Sequence, residues 1–459
     1  MEQEEQYTQG SLISSIWRLS WPAVTSMLVH TMLTITDTIW VGQLGKEEVA
    51  ALTTSMFPIW VVFSILTIIP TGVLAIISRA IGAKQKDEVS RVAGQSFLFA
   101  IRASIVVGII GYFVTPYLIR FMNPEPQVAA MGIQYLRVIF LGIIFFFIND
   151  SYSAIFRAAG KMKVHLIGTT SAVVLNIIID PLFIFGIGPF PELGVRGAAV
   201  ATIISAACGT VVFTVLLRKG KFGYPLSFRL FDRLDYKLAL IVMKIGFPVS
   251  MANVNFSVVY IFLNRIVNDF GTAAESALMI GNRLESLSYL ICFGFAMGAS
   301  TMVGQNLGAG QIQRAAKSAW YAVGICVLFT MGISAMFLLI PRQLAMVFID
   351  DAEVIEIAID YLKILALSQS FMAIEIVLEG AFSGAGNTIP PTVISIPGTL
   401  LRLPLAYYFC YELGLGISGM WWSITLTSIG RGIVMMFWFS RGRWKRTGTI
   451  QTGGQVAPQ

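Results

Sequence analysis

Residue after residue in this chain recurs 226 positions later without a gap: Pro22/Pro248, Gly45/Gly271, Ala51/Ala277, Gly72/Gly298, Gly82/Gly308, Ala83/Ala309, Gln85/Gln311 and Ala93/Ala319. The register persists at Tyr135/Tyr361, Leu136/Leu362, Phe156/Phe382, Ala159/Ala385 and Gly160/Gly386, then shifts to 222 at Gly194/Gly416 and Gly197/Gly419. Glycine and proline dominate these pairs because they fix backbone geometry that a duplicated fold has to keep. Whatever one half folds into, the other must fold into as well.

The medium of that fold follows from hydropathy. The chain is 56% hydrophobic and 12% charged, with mean hydropathy +0.75, whereas a soluble chain carries roughly 25% charged residues. Apolar stretches long enough to cross a hydrocarbon core as helices lie near 12–36, 49–78, 94–115, 132–155, 165–187, 195–217, 238–262, 273–298, 317–340, 355–380, 390–411 and 416–439. They are continuous rather than alternating, so the expected class is an all-α membrane protein and not a closed barrel. Six spans fall in each half. An even number makes both halves enter from the same side, as parallel repeats, and repeated spans are the architecture of secondary transporters.

The net charge of +7 is a topology signal and not a nucleic-acid surface. With the N-terminus inside, only seven basic residues fall outside: Lys46, Arg120, Arg137, Arg196, Arg265, Arg342 and Lys363. Arg102, Arg283, Arg402 and Arg431 lie deep within spans, and the other 21 of 32 fall in or towards the N-terminal, even-numbered-loop and C-terminal segments, which places both termini in the cytoplasm of a cell (inner) membrane. The expected organisation is a tail 1–11, an N-lobe 12–217, a cytoplasmic linker 218–237, a C-lobe 238–439 and a tail 440–459. No cleavable signal peptide is expected from the polar start MEQEEQYTQG. Gly82-Ala83-Lys84, Gly308-Ala309-Gly310, Ala159-Gly160-Lys161 and Ala385-Gly386-Asn387 read as helix ends, and Gly294/Gly298 and Gly304/Gly308 as close helix contacts. Pro22 and Pro248 predict kinks early in the first span of each half.

Polar groups at bilayer depth are the place to look for chemistry, since a buried carboxylate costs about 2.5–3.5 kcal/mol on insertion scales. Asp37 lies late in span one and Asp180 in span five. Asn176 precedes Asp180 by four residues and shares its helical face. Thr202 lies about two turns into span six. Span direction puts all four in the outer half of the membrane, where two carboxylates, an amide oxygen and a hydroxyl suit a hard cation such as Na⁺, or a shared proton. Interhelical hydrogen bonding is the alternative role for Asn176 and Thr202, and helix-end roles for Asp37 and Asp180. The second half offers Glu375 and Glu379 on span ten, Glu285 beside Arg283 on span eight (read as a structural ion pair), and Asn253 and Asn255 on span seven. Asp150 reads as solvated, its neighbour Asn149 as facing a cavity, and His30 as a packed neutral histidine. Cys208, Cys292, Cys326 and Cys410 sit in apolar spans without disulfide or metal spacing.

No GxxxxGK[ST] loop is present, so ATP has no evident place, and no HExxH, GxSxG or paired CxxC suggests an enzyme. Abundant Phe, Met and Trp would suit flat cationic ligands.

Five segments, RLSWP, DTIWVGQLG, FRAAGKMK, VGQNLGAG and EGAFSGAGNTIPP, resemble in order and spacing the multidrug and toxic compound extrusion (MATE) family, across Trp17 to Trp438. The resemblance implies twelve transmembrane helices in two six-helix lobes forming a V, and efflux of small organic cations by H⁺ or Na⁺ antiport without any other cofactor. It also implies that Asp37, Asn176, Asp180 and Thr202 match the coupling-ion set of the DinF-type branch. The NorM-type branch is known for an acid on span seven, where this chain has Asn253 and Asn255. A flippase for a lipid-linked sugar is the alternative reading and a channel a more distant one. Membrane lipids are the only other expected partners.

Overall fold

The computed structural model describes residues 7–122, 125–225 and 232–446. Parts of both expected tails and of the expected linker (1–6, 226–231 and 447–459) lie outside the described residues. Among the described residues the structure is helical and contains no strand.

In the first half the helices are α1 (Leu12–Gly42), α2 (Lys46–Leu66), α3 (Ile68–Gly82), α4 (Lys86–Phe121), α5 (Pro126–Ala158), α6 (Met162–Phe185) and α7 (Val195–Arg218). In the second they are α8 (Tyr236–Asn268), α9 (Thr272–Gly308), α10 (Ile312–Leu339), the short α11 (Pro341–Met346), α12 (Ala352–Ala366), α13 (Gln369–Gly384), α14 (Ile389–Leu400), α15 (Arg402–Tyr407) and α16 (Ile417–Ser440). Nine described helical stretches are long and apolar enough to span a bilayer, and α12–α13, bent by 55°, make a tenth. α1 and α16 occupy the repeat positions of α8 and α7.

The halves break differently. Span two is interrupted at Thr67 in the first half, whereas its counterpart α9 runs unbroken. Span four is continuous as α5, but its counterpart bends at Leu367–Ser368. Side chains support the carbonyls at that bend: Ser334 donates to Ala366 O (2.8 Å), and Thr425 adds a second bond at Ile364 O (3.2 Å). Span eleven ends in a π-helical turn, Tyr408–Glu412.

The linker does not divide the compact units. One unit comprises Thr25–Phe247 and the other Tyr7–Val24 with Pro248–Ile450, as far as these are described. The start of α1 thus packs in the second unit and the start of α8 in the first, and the changeovers fall beside the repeated prolines Pro22 and Pro248. The repeated glycines explain the exchange. A Cβ on Gly72 of α3 would meet Val242 of α8 at 2.5 Å from its carbonyl oxygen and 2.7 Å from its Cα. Its counterpart Gly298 of α9 faces Ser20 of α1, and Gly294 faces Val24. Only a missing side chain allows these backbones so close. Gly72→Val is therefore expected to lower stability by about 1–3 kcal/mol through overpacking, read as a fall in the unfolding midpoint of the detergent-solubilised protein. An unchanged midpoint would mean that α8 does not ride on α3.

Local ties hold each entry in place. In the first unit, Gln95 accepts from the Asp235 N–H (2.9 Å) and donates to Arg233 O (3.2 Å), and Arg102 donates to Asp232 O (2.8 Å). Asp235 caps the Leu238 N–H and pairs with Arg91. Burial opposes the Asp235 charge, but the Leu238 N–H and the Arg91 guanidinium outweigh it and hold the pKa below the usual carboxylate range. In the second unit, the Tyr7 N–H donates to Gln305 (3.3 Å), Asn306 donates to Tyr7 O (3.3 Å), and Arg314 donates to Gln9 O and Gly10 O (2.9 Å each). The expected N-terminal tail is thus tied down from Tyr7 onward.

The helix ends hold one surprise. Gly160 and Gly386 take left-handed backbone as expected, at φ 72° and 71°. After α3 and α9, however, the left-handed residues are Lys84 (φ 60°) and Gly310 (φ 73°), two positions beyond the repeated Gly82 and Gly308. The Gln85 N–H then reaches Ala80 O and the Gln311 N–H reaches Asn306 O, closing both helices the same way. Another glycine contact joins α13 to α9: Gly380 and Gly384 abut Ala296 and Ser300 backbone.

Candidate functional site

Within the first unit, α1, α6 and α7 bring the four expected residues together. Asn176 and Asp180 stand one turn apart on α6, and the Asn176 amide donates to Asp180 Oδ1 at 3.2 Å. The same amide reaches Thr202 Oγ1 on α7 at 3.5 Å, while Thr202 itself donates to Ala198 O at 2.8 Å. The Asp37 carboxyl of α1 lies beside that of Asp180, close enough for the two to interact. Pro181 follows Asp180 inside α6 and removes one backbone N–H there, loosening the helix where its polar groups gather.

Three oxygens of this cluster, Asp37 Oδ1, Asp180 Oδ2 and Asn176 Oδ1, are buried with no hydrogen-bond partner. Asp180 and Asn176 are 0% and 1% exposed. Buried oxygens left unpaired are costly, and two carboxylates in contact need a positive charge or a proton between them. With the Thr202 hydroxyl they form a hard oxygen set of the kind that fits Na⁺ or H⁺. Among the described residues no group of three or more His, Cys, Asp or Glu side chains offers a transition-metal site.

Tyr135 of α5 belongs here too. It is buried (8% exposed) within electrostatic reach of both Asp37 and Asp180. The sequence reading placed it only among the repeat identities, and that was the available signal: its counterpart Tyr361 also stands beside an acid.

In the second unit the acids divide. Glu375 of α13 is locked in a buried ion pair with Arg431 of α16 (3.0 Å) and accepts from Ser395 at 3.2 Å. Arg431 also donates to Thr399 (3.2 Å), and Arg402 donates to Thr427 (3.0 Å), Tyr260 (3.2 Å) and Ser428 (2.9 Å). The expected Arg283–Glu285 pair does not form: two residues apart on α9, they face opposite ways, Arg283 exposed and Glu285 buried. Glu285 instead faces the Tyr361 hydroxyl, which donates to it at 3.5 Å and to Asn282 at 3.3 Å.

Other expectations shift as well. Asn149 donates to Ala206 O (2.9 Å) and accepts from Thr210 (2.9 Å), tying α5 to α7. Asn149→Ala should cost about 1–3 kcal/mol by orphaning buried partners, seen as a lower unfolding midpoint; no change would mean that water replaces the amide. Asn255 donates to Ile396 O at 3.4 Å, and Asn253 is half-buried beside it on α8. Asp150 is half-buried rather than solvated, and Glu379 is half-buried too. His30 is exposed on α1 rather than packed. It is His165 that is buried, and the Ser26 hydroxyl contacts its Nε2 (3.3 Å) and Thr169 (3.0 Å).

The MatE family model matches residues 22–182 and 248–408, two segments in the same 226-residue register as the repeat. The chain is 29% identical over 440 residues to a probable multidrug resistance protein, NorM, of Thermotoga maritima, covering 94% of this chain and 93% of that protein. It is 27% identical over 432 residues to the probable multidrug resistance protein YoeA of Bacillus subtilis, covering 91% and 92%. Among solved structures, the outward-facing conformation of a multidrug resistance MATE family transporter of the MOP superfamily superposes with a TM-score of 0.89 at 23% identity, over 97% of this chain and 100% of that one. A MATE structure in the bent conformation also gives 0.89, at 23% identity over 97% and 98%.

Proposed function

The chain belongs to the MatE family, whose members are transporters and not enzymes, and we propose that it exports small organic cations in exchange for H⁺ or Na⁺ bound at Asp37, Asn176, Asp180 and Thr202. The observation that carries this reading is the contact between the Asp37 and Asp180 carboxyls beside three unpaired buried oxygens. Such a cluster changes its net charge whenever one cation or proton enters or leaves. The names of the NorM and YoeA relatives support multidrug substrates. The DinF-type placement rests on the same four residues, and the cytoplasmic termini rest on the positive-inside distribution.

The mechanism needs only alternating access and one site whose occupancy differs between states. Facing outward, the acidic cluster takes up the external ion, its charge falls, and a bound organic cation loses electrostatic attraction and leaves. Facing inward, the ion departs and the restored negative charge favours a new cation. Coupling of about 1–3 kcal/mol between the two ligands is enough for efficient exchange. Of the four arginines within spans, Arg402 and Arg431 are engaged by hydroxyls and Glu375, which disfavours them as phosphate-binding groups of a lipid-linked sugar carrier.

The test is efflux of a fluorescent organic cation from proteoliposomes, with pH and sodium gradients imposed separately. Transport driven by one gradient is the expected result and names the ion. Transport under neither would overturn the antiport reading.

A further inference from the structure

The last long helix of each half runs into the same short turn, which the antiport reading leaves unused. Lys219-Gly220-Lys221-Phe222 follows α7 and Arg441-Gly442-Arg443-Trp444 follows α16, in the 222-residue register, each reading basic, glycine, basic, aromatic. We propose that each turn binds the phosphate of an anionic phospholipid headgroup, giving the protein two related lipid sites on one face of the membrane.

The glycine and the aromatic build the turn. Gly220 and Gly442 take left-handed backbone, at φ 72° and 71°, which any side chain would strain. The Lys219 and Gly220 N–H groups close α7 on Val215 O and Leu217 O (2.9 Å each). At the matching positions, the Arg441 and Gly442 N–H groups close α16 on Phe437 O (3.2 Å) and Phe439 O (3.1 Å). The aromatic then turns inward, and Phe222 and Trp444 are each 1% exposed. Phe222 meets Phe156 edge-on at 6.1 Å. Trp444 stacks on Phe439 at 4.5 Å, and Phe439 meets Phe382, the repeat counterpart of Phe156, at 5.3 Å. The Trp444 indole N–H also donates to Phe439 O (2.9 Å). With the aromatic held inside, the basic residues on either side of each glycine, Lys219, Lys221, Arg441 and Arg443, are all exposed.

These charges are open to a ligand. Among the described residues none of the four pairs with a carboxylate, unlike Arg91 and Arg431. Arg441 lies over the Phe437 ring (4.5 Å), which occupies the face of its guanidinium and not its N–H edge. The positive-inside rule accounts for basic residues on this side, but it counts charges and asks for no fixed geometry. Here the duplication has kept a left-handed glycine and a buried aromatic that hold two charges in place. Groups ordered before binding lose less entropy on binding. Because α16 stands in the repeat position of α7, both turns emerge on the same side, directly after a helix end. That is headgroup depth, where anionic lipids concentrate phosphate.

The test is native mass spectrometry of the purified full-length protein, exchanged into micelles containing phosphatidylglycerol or phosphatidylcholine. It counts bound lipids, needs no transport and is independent of the coupling ion. The wild type is expected to retain two phosphatidylglycerols and to release phosphatidylcholine. Lys219→Gln with Lys221→Gln should remove one lipid and Arg441→Gln with Arg443→Gln the other. At about fivefold per charge, each pair should weaken its site about 25-fold. Lys219→Arg with Lys221→Arg should keep both lipids. Phe222→Ala retains every charge but frees the first turn, and affinity there is expected to fall; unaltered affinity would refute the turn as the binding element. Full retention of phosphatidylglycerol in the fourfold Gln variant would overturn the proposal, and so would equal retention of phosphatidylcholine by the wild type. Displacement of the lipid by inorganic phosphate would make these sites for a free anion and would overturn the lipid assignment.

Discussion

Asp180→Asn leaves the protein in the membrane and removes the dependence of efflux on the ion gradient. The side chain keeps its shape, and the amide can still meet the Asn176 group now 3.2 Å away, so folding is preserved. What disappears is the second carboxylate facing Asp37. The remaining cluster has one negative charge to neutralise and no longer needs a positive charge between two acids. The loss of gradient-driven rate is expected to fall in the roughly 5- to 150-fold range that corresponds to coupling free energies of about 1–3 kcal/mol. The readout is initial efflux in proteoliposomes at matched protein incorporation, with and without the gradient. Wild-type rates in this variant would move the coupling site out of the first unit.

Breaking the Glu375–Arg431 pair is expected to have the largest effect on stability. Both side chains are buried, at 6% and 8% exposure, and removing one partner strands the other's charge in a dry environment. Arg431→Met or Glu375→Leu alone should each cost about 3–5 kcal/mol. The double substitution should cost much less than the sum, because two apolar side chains leave no unpaired charge; a non-additivity of about 0.5–3 kcal/mol is the usual range for such neighbours. The measurement is a double-mutant cycle on unfolding midpoints in detergent. Additive effects would show that the pair is not coupled, and would return Glu375 to the list of groups available for transport.

A good part of this was legible in the sequence, and the limits have physical causes. Asn176 and Asp180 could be put on one face because spacing within a helix fixes side-chain direction. Their meeting with Asp37 and Thr202 could be inferred only through span direction and depth, and the structure brings all four together. Tyr135 was visible as a repeat identity but not as a neighbour of acids, because proximity across helices leaves no local trace. Arg283 and Glu285 looked like a pair because they are close in sequence, yet two residues along a helix is just over half a turn. The partners of Glu375 and Glu285 came from Arg431 and Tyr361, 56 and 76 positions away.

By itself the sequence determined what local physics controls. Continuous apolar runs required membrane helices, the 226-residue register required two copies of one unit, and glycines and prolines marked where backbones had to approach or turn. Only the tertiary structure decided that the starts of α1 and α8 change units beside Pro22 and Pro248, which acids are neutralised by arginine, and which buried oxygens stay unpaired. Those outcomes depend on which helix faces meet, and inside a bilayer that is set by close packing and polar pairing between distant segments, since hydrophobicity is equally satisfied by lipid.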